Sequence, residues 1–150
     1  MNQRAATILT DLLQPGLTGI PVNADRQKVH IQQHQEYQSF FIDEYYRVQY
    51  PNDNRWDYVV HNNTQNRYVF IEVHPATTTG VTEVCRKYNW LRDMITVRIS
   101  ELNWYNNIRT LEYYWLWTDN NKLNKNAPQY KSLKTHHDYR NIKLRKDVSI

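Results

Sequence analysis

Apolar residues in the first third of the chain recur at helical spacing. From Arg26 to Val48 they lie three or four positions apart, which predicts a helix with Asp25 as its N-cap. The helix should end at Tyr50-Pro51, because a residue before proline avoids the helical conformation. Residues 15–25 hold two prolines and two glycines and predict a loop, after a short helix over Thr7 to Leu13.

The pattern then changes to that of strands. Residues Arg55 to Val60 and Arg67 to His74 are rich in Val, Ile and aromatic side chains, which favour strands. Between them, the segment HNNTQN is composed of turn-forming residues. The two runs therefore predict a β-hairpin.

Helical spacing returns after Pro75. The threonines 77–79 offer capping hydroxyls, and the helix they begin is expected to run to Met94 or Ile95. Its apolar stripe consists of Val81, Val84, Cys85, Tyr88, Leu91 and Ile95. Farther on, LEYYWLWT over Leu111 to Thr118 predicts a strand, residues 119–126 a polar turn, and Asn141 to Asp147 an edge strand. Residues 97–110 are ambiguous, with a short helix over Ser100 to Ile108 as the preferred interpretation.

This order of elements predicts one α/β domain over residues 1–150, with a mixed central β-sheet and helices on its faces. The many aromatic residues argue against disorder. Cys85 is the only cysteine, which excludes a disulfide framework and favours a cytoplasmic protein. No apolar run approaches the ~18 residues of a membrane span, and the N-terminus does not resemble a secretory signal.

Positive charge is concentrated at one end of the sequence. Residues 122–150 contain eight Lys or Arg and two Asp, whereas residues 1–121 carry a small excess of acids. A basic segment on a slightly acidic body suggests a polyanionic partner. A solvated tail explains the same composition equally well.

The predicted hairpin brings three chemically active side chains together. Side chains alternate across a strand, so Glu72 and His74 share a face. If Thr64 and Gln65 form the tip of the hairpin, Asp57 lies directly across from Glu72. The opposite face is then entirely apolar, which supports this register: Trp56, Tyr58, Val60, Val69, Ile71 and Val73.

Two carboxylates placed in this way repel each other, since their Cβ atoms would be ~5 Å apart. A shared proton, a basic neighbour or a divalent cation has to offset the repulsion. Carboxylate oxygens are the ligands that Mg²⁺ and Mn²⁺ prefer, and His74 adds a nitrogen ligand or a proton carrier. In the alternative interpretation each acid pairs with an arginine, for instance Arg55 or Arg92, and His74 is a strand-end residue in water.

The segment RWDYVV, placed 15 residues before FIEVH, resembles the motif of the PD-(D/E)XK nuclease superfamily. The superfamily order is helix, three strands, helix, strand, with one acid on the second strand and an acid-x-lysine on the third. Asp57 and Glu72 match the two acids, and the resemblance covers residues 26–118. His74 occupies the lysine position, so the lysine function would come from Lys87 or Arg92 on the following helix. The first strand of the core could be Glu44 to Tyr50, if the first helix ends early.

The resemblance implies a restriction-endonuclease-like core and metal-assisted hydrolysis of phosphodiester bonds, with DNA as the expected substrate. Asp57 and Glu72 would bind Mg²⁺ or Mn²⁺, with the carbonyl of Val73 as a further ligand. His74, Lys87 or Arg92 would orient the water or neutralise the phosphate. The basic segment would follow the nucleic-acid backbone, and a two-fold dimer would suit cleavage of both strands. The alternative is a nuclease-fold protein without catalysis that binds nucleic acid or a protein partner.

Two other histidine pairs are set aside. His30 and His34 have the i, i+4 spacing of zinc ligands but lack the HExxH motif, and they continue the apolar stripe of the first predicted helix. His136 and His137 adjoin Asp138, but neighbours on a strand point in opposite directions and would be poor co-ligands.

Overall fold

The computed structural model describes residues 12–100 and 110–150, with residues 96–100 and 110 described by their backbone alone. In chain order its elements are β1 (Gln14–Pro15), α1 (Asn23–Arg26), β2 (Val29–His30), β3 (Tyr37–Phe41), α2 (Ile42–Tyr46), β4 (Tyr58–Asn62), β5 (Arg67–Pro75), α3 (Thr78–Ser100), β6 (Thr110–Thr118), α4 (Pro128–Thr135), a 3-10 turn (Tyr139–Asn141), β7 (Ile142–Arg145) and β8 (Val148–Ser149). The predicted helices over Thr7 to Leu13 and Ser100 to Ile108 lie, apart from a residue or two, outside the described residues.

Six strands form one mixed sheet in the order β1-β3-β4-β5-β6-β7. The pairs from β1 to β5 are antiparallel, whereas β5–β6 and β6–β7 are parallel. Parallel neighbours need a crossover, and α3 lies on the connection between β5 and β6. The prediction of an α/β fold with a mixed sheet is therefore confirmed.

The β4–β5 hairpin has the predicted register. Tyr58 pairs with Ile71 and Val60 with Val69, which centres the loop on Thr64–Gln65. These four side chains, which the alternation assigned to the apolar face, are buried there in one cluster. Because a slip by one residue would turn them to the other face, burial fixes the register.

The two faces of the sheet are covered differently. The predicted stripe of α3 packs on one face, in a cluster of buried residues that includes Val59, Phe70, Tyr88 and Trp115. The other face packs in a second cluster, with residues of the parallel β2–β8 pair. Among the described residues a long helix thus covers one face only, whereas the sequence predicted helices on both. Trp56 also departs from its prediction: it precedes β4 and packs on the α3 face, against Tyr88.

The helix predicted over Arg26 to Val48 is wrong. The segment contains β2, β3 and the short helix α2, and Asp25 lies inside α1 and does not cap it. Strand β3 alternates as a strand should, but both faces of the sheet are buried there, so Tyr37 and Phe40 on opposite faces imitate helical spacing. The end of the supposed stripe is open to solvent, with Val48 91% exposed.

The C-terminal third follows the sequence pattern more closely. Strand β6 and the polar turn after it are as predicted, and β7 lies at the edge of the sheet with Ile142 and Leu144 buried. Helix α4 was not predicted. Within the described ranges, no helix combines the length and apolar character needed to cross a bilayer.

Candidate functional site

The carboxylates of Asp57 and Glu72 each accept a hydrogen bond from the backbone of the facing strand segment, where the β4–β5 pairing begins. The backbone N–H of Asp57 donates to Oε2 of Glu72 at 3.1 Å, and the N–H of Val73 donates to Oδ2 of Asp57 at 3.0 Å. Each carboxylate therefore has one oxygen fixed by a backbone donor. The second oxygens, Oδ1 of Asp57 and Oε1 of Glu72, remain for another partner.

That partner is the ammonium of Lys87. Its Nζ lies 3.4 Å from Oδ1 of Asp57 and forms a shorter contact with Oε1 of Glu72. All three side chains are largely enclosed: Glu72 is 0% exposed, Asp57 17% and Lys87 20%. One cation is thus shared by two ionisable acids, and the set carries excess negative charge when both acids are ionised.

Helix α3 determines which basic residue reaches the acids. Val84, Tyr88 and Leu91 are buried against the sheet, and Lys87 lies at the border of this stripe. The other candidates point elsewhere: Arg92 donates to the hydroxyl of Tyr113 at 3.4 Å. Arg55 forms an ion pair with Asp43 at 2.9 Å, so the arginine pairing considered for the two acids does not occur.

Burial raises the pKa of both acids in this cluster. Burial raises the pKa of Glu72 well above 4.5, and the charge of Asp57 adds to the shift, although Lys87 opposes it. Burial likewise raises the pKa of Asp57 against the opposing effect of Lys87. For Lys87 burial disfavours the ammonium, but the charges of Glu72 and Asp57 outweigh it and the pKa is raised. One lysine therefore does not fully compensate the two carboxylates.

This imbalance predicts a pH dependence of stability. Folded Glu72 binds its proton more tightly than the unfolded chain does, so wild type should lose free energy of unfolding as the pH rises above about 4.5. In Glu72→Gln this contribution is absent. Chemical denaturation between pH 4.5 and 8, with chelator present, should show the stability of wild type falling relative to that of the variant. If the difference in free energy of unfolding between wild type and Glu72→Gln stayed constant with pH, the pKa of Glu72 would not be raised in the folded protein.

His74 reaches the site through a residue that the sequence did not single out. Its Nε2 lies 2.6 Å from Oε2 of Glu83 on α3, and its Nδ1 lies 3.7 Å from Oε1 of Glu72. The side chain of His74 is only 20% exposed, so it is not a strand-end residue in water. Glu83 lies four residues before Lys87, a spacing that places both on one side of the helix; this signal could have indicated Glu83.

The backbone at His74 is fixed from the neighbouring strand. Trp115 is fully buried, and its indole Nε1–H donates to the carbonyl oxygen of His74 at 2.9 Å. This bond lies near the end of the parallel β5–β6 pairing, where His74 is opposite Trp117. The backbone that bears the imidazole is therefore anchored to strand β6.

A second group of metal-ligating side chains occurs on the surface. His136, His137 and Asp138 follow α4 in a turn and not in a strand, and their ligating atoms lie within 4.8 Å of one another. The two imidazoles stack with centroids 5.0 Å apart. The expectation that these residues diverge is wrong, because the strand geometry on which it depended is absent.

Comparisons of the chain with models of protein families, with curated proteins and with solved structures give no match. The chemistry of the site has to be inferred from its own geometry.

Proposed function

We propose that the chain is a metal-dependent nuclease that hydrolyses phosphodiester bonds in nucleic acid, with DNA as the first substrate to test. One observation carries the proposal. Asp57 and Glu72 come together on the hairpin, and each directs one carboxylate oxygen at the same cationic group, the ammonium of Lys87. The site lies on a rigid hairpin and is largely enclosed, as a catalytic centre requires.

The strand topology supports a restriction-endonuclease-like core. Strands β3, β4 and β5 form an antiparallel meander, α3 follows, and β6 then pairs parallel to β5. Glu72 lies on the third strand, as the superfamily order requires, and Asp57 lies one residue before the second strand and not on it. The first strand is β3, and the alternative strand over Glu44 to Tyr50 is wrong. A long helix ahead of the meander is missing among the described residues, which is a departure from that order.

The donor set fits a hard divalent cation. Carboxylate oxygens are the ligands that Mg²⁺ and Mn²⁺ select, and the backbone donors on the other two oxygens hold the pair in place. The ammonium of Lys87 now lies between the free oxygens, and a doubly charged ion would neutralise the carboxylates more completely. When bound, the ion would activate a water molecule and stabilise charge on the phosphate.

The remaining side chains then have defined tasks. Asp57 and Glu72 would hold the ion. Lys87, on its flexible four-carbon stem, would turn from the carboxylates to the phosphate and neutralise its charge. His74 stands beside Glu72, where it would either add a nitrogen ligand to the ion or orient the water.

The basic segment begins next to the site. The N–H of Lys122 donates to the carbonyl of Ala76 at 2.9 Å, two residues beyond His74. All eight lysines and arginines of residues 122–150 are exposed. A cationic surface that starts at the rim of a catalytic centre suits a polyanionic substrate.

A second candidate function is nucleic-acid binding without catalysis. The observation that favours it is the ion pair of Lys87 itself, which balances one of the two carboxylate charges without any metal. Such a protein would bind DNA in chelator, with an affinity that falls steeply with salt concentration.

Cleavage of labelled single- and double-stranded DNA separates the two candidates. We expect cleavage with Mg²⁺ or Mn²⁺ and none after addition of EDTA, because the ion would activate the water molecule that attacks the phosphate. Binding to the same DNA should be measured in parallel by fluorescence anisotropy. DNA that is bound but left intact with either ion would reject the nuclease in favour of the second candidate.

A further inference from the structure

We propose that His74, oriented by Glu83, is the third ligand of the cation held by Asp57 and Glu72, and that the site therefore prefers a transition-metal ion such as Co²⁺ to Mg²⁺. The inference rests on the metal site of the proposed function and goes beyond it in naming the ligand set and the class of ion.

The contact with Glu83 determines which nitrogen of His74 faces the acids. Two acceptor atoms do not approach to the observed 2.6 Å unless a proton lies between them, and we assign this proton to Nε2, with Glu83 as the ionised acceptor. In the neutral ring the lone pair is then on Nδ1. This nitrogen lies on the side of Glu72, at 3.7 Å from Oε1, which is too long for a hydrogen bond.

A carboxylate behind a metal-binding histidine is the usual way in which proteins fix the ring and increase its basicity. Glu83 is well placed for this task because α3 is packed firmly on the sheet through Val84 and its neighbours. Trp115 on the neighbouring strand β6 holds the backbone carbonyl of His74. The imidazole is thus held by a helix and a strand at once.

Lys87 has to leave the carboxylates for the ion to bind. In the present arrangement its ammonium lies between Oδ1 of Asp57 and Oε1 of Glu72. The lysine stem is flexible and 20% exposed, so it can withdraw towards solvent. Nδ1 of His74 already lies 3.7 Å from Oε1 of Glu72. Asp57 does not yet converge with them to the 4.8 Å that the surface cluster at His136 shows, so the ion would have to draw Asp57 and His74 together. The released carboxylate oxygens and Nδ1 of His74 would then form a mixed oxygen and nitrogen set. Imidazole nitrogen binds late first-row ions such as Co²⁺ far better than Mg²⁺, which demands oxygen ligands.

Calorimetric titration with Co²⁺ and with Mg²⁺ tests the assignment. It should be done in a background carrying His136→Gln and His137→Gln, because the surface cluster is a competing site for Co²⁺. We expect His74→Ala to weaken Co²⁺ binding by at least tenfold and Glu83→Ala by about tenfold, with Mg²⁺ binding changed much less. The visible absorption bands of bound Co²⁺ should also shift in His74→Ala, since a nitrogen ligand is lost. The matched control is Asp93→Ala, which removes an exposed acid from the same helix. It should bind both ions as tightly as the background protein does.

The outcomes separate this inference from the proposed function. In one outcome both ions bind and Glu72→Gln abolishes their binding, but His74→Ala and Glu83→Ala leave the ratio of Co²⁺ to Mg²⁺ affinity unchanged. His74 is then not a ligand, and only this inference is rejected. If neither ion binds to the folded background protein, the metal site of the proposed function falls as well. Thermal melts of each variant establish that weakened binding is not a loss of fold.

Discussion

Glu72→Gln is expected to reduce DNA cleavage at saturating Mg²⁺ or Mn²⁺ by about 100-fold or more. The substitution retains the shape of the side chain and the acceptor for the Asp57 N–H, but it removes the charge that would hold the ion. Metal stabilisation of the transition state is worth several kcal/mol, and each ~1.4 kcal/mol corresponds to a factor of ten in rate. Asp57→Asn should have an effect of similar size for the same reason.

The fold should survive this change, which makes the experiment interpretable. Removal of an uncompensated buried charge leaves Lys87 paired with Asp57 alone. Glu36→Gln is a matched control, since Glu36 is exposed near the hairpin turn, where its N–H contacts Thr64. Cleavage by Glu72→Gln at the rate of wild type and of the control would remove the acid pair from the mechanism.

Lys87→Met is expected to lower the free energy of unfolding at neutral pH by about 3 kcal/mol. The substitution keeps the length of the side chain but leaves the fully buried Glu72 and its neighbour Asp57 without a cation. Removal of one partner of a buried ion pair is strongly destabilising, because the other charge is left uncompensated. Urea unfolding at pH 7 in the presence of chelator measures the effect, and Lys131→Met on the exposed face of α4 is the control.

The double variant Lys87→Met, Glu72→Gln identifies the cause of this loss. If the uncompensated carboxylate is responsible, the double variant should be more stable than Lys87→Met alone, and the two single effects should not add. Mn²⁺ should also restore stability to Lys87→Met, since an ion that binds only the folded state stabilises it by mass action. Additive single effects together with no response to Mn²⁺ would show that Lys87 contributes through packing and not through charge.

Local sequence patterns were sufficient for the hairpin and for the stripe of α3. In the hairpin, the parity of the strand alternation is enough to place Asp57, Glu72 and His74 on one face. Asp57 lies opposite Glu72 on the further condition that Thr64 and Gln65 form the tip, and the observed pairing meets it. The α3 stripe is equally explicit, because one face of a long helix meets the sheet and the other meets solvent.

The same reasoning failed where both faces of an element are buried. In β3 the apolar residues pack in two different clusters, one on each face of the sheet. The sequence therefore lacks the alternation of apolar and polar residues that marks a half-buried strand. The segment is also short, and pairing with β4 decides its conformation. Local propensity has little weight against such pairing.

The sequence by itself determined that two acids and an imidazole share one face of the hairpin and that basic residues lie on the next helix. Only the tertiary structure decided that Lys87 and not Arg92 meets the acids, that Glu83 holds His74, and that His136 and His137 converge. The reason is physical. Contacts along one hairpin follow from the period of the strand, whereas contacts between a helix and a sheet depend on how the helix is rotated and positioned by the whole core, which no local pattern specifies.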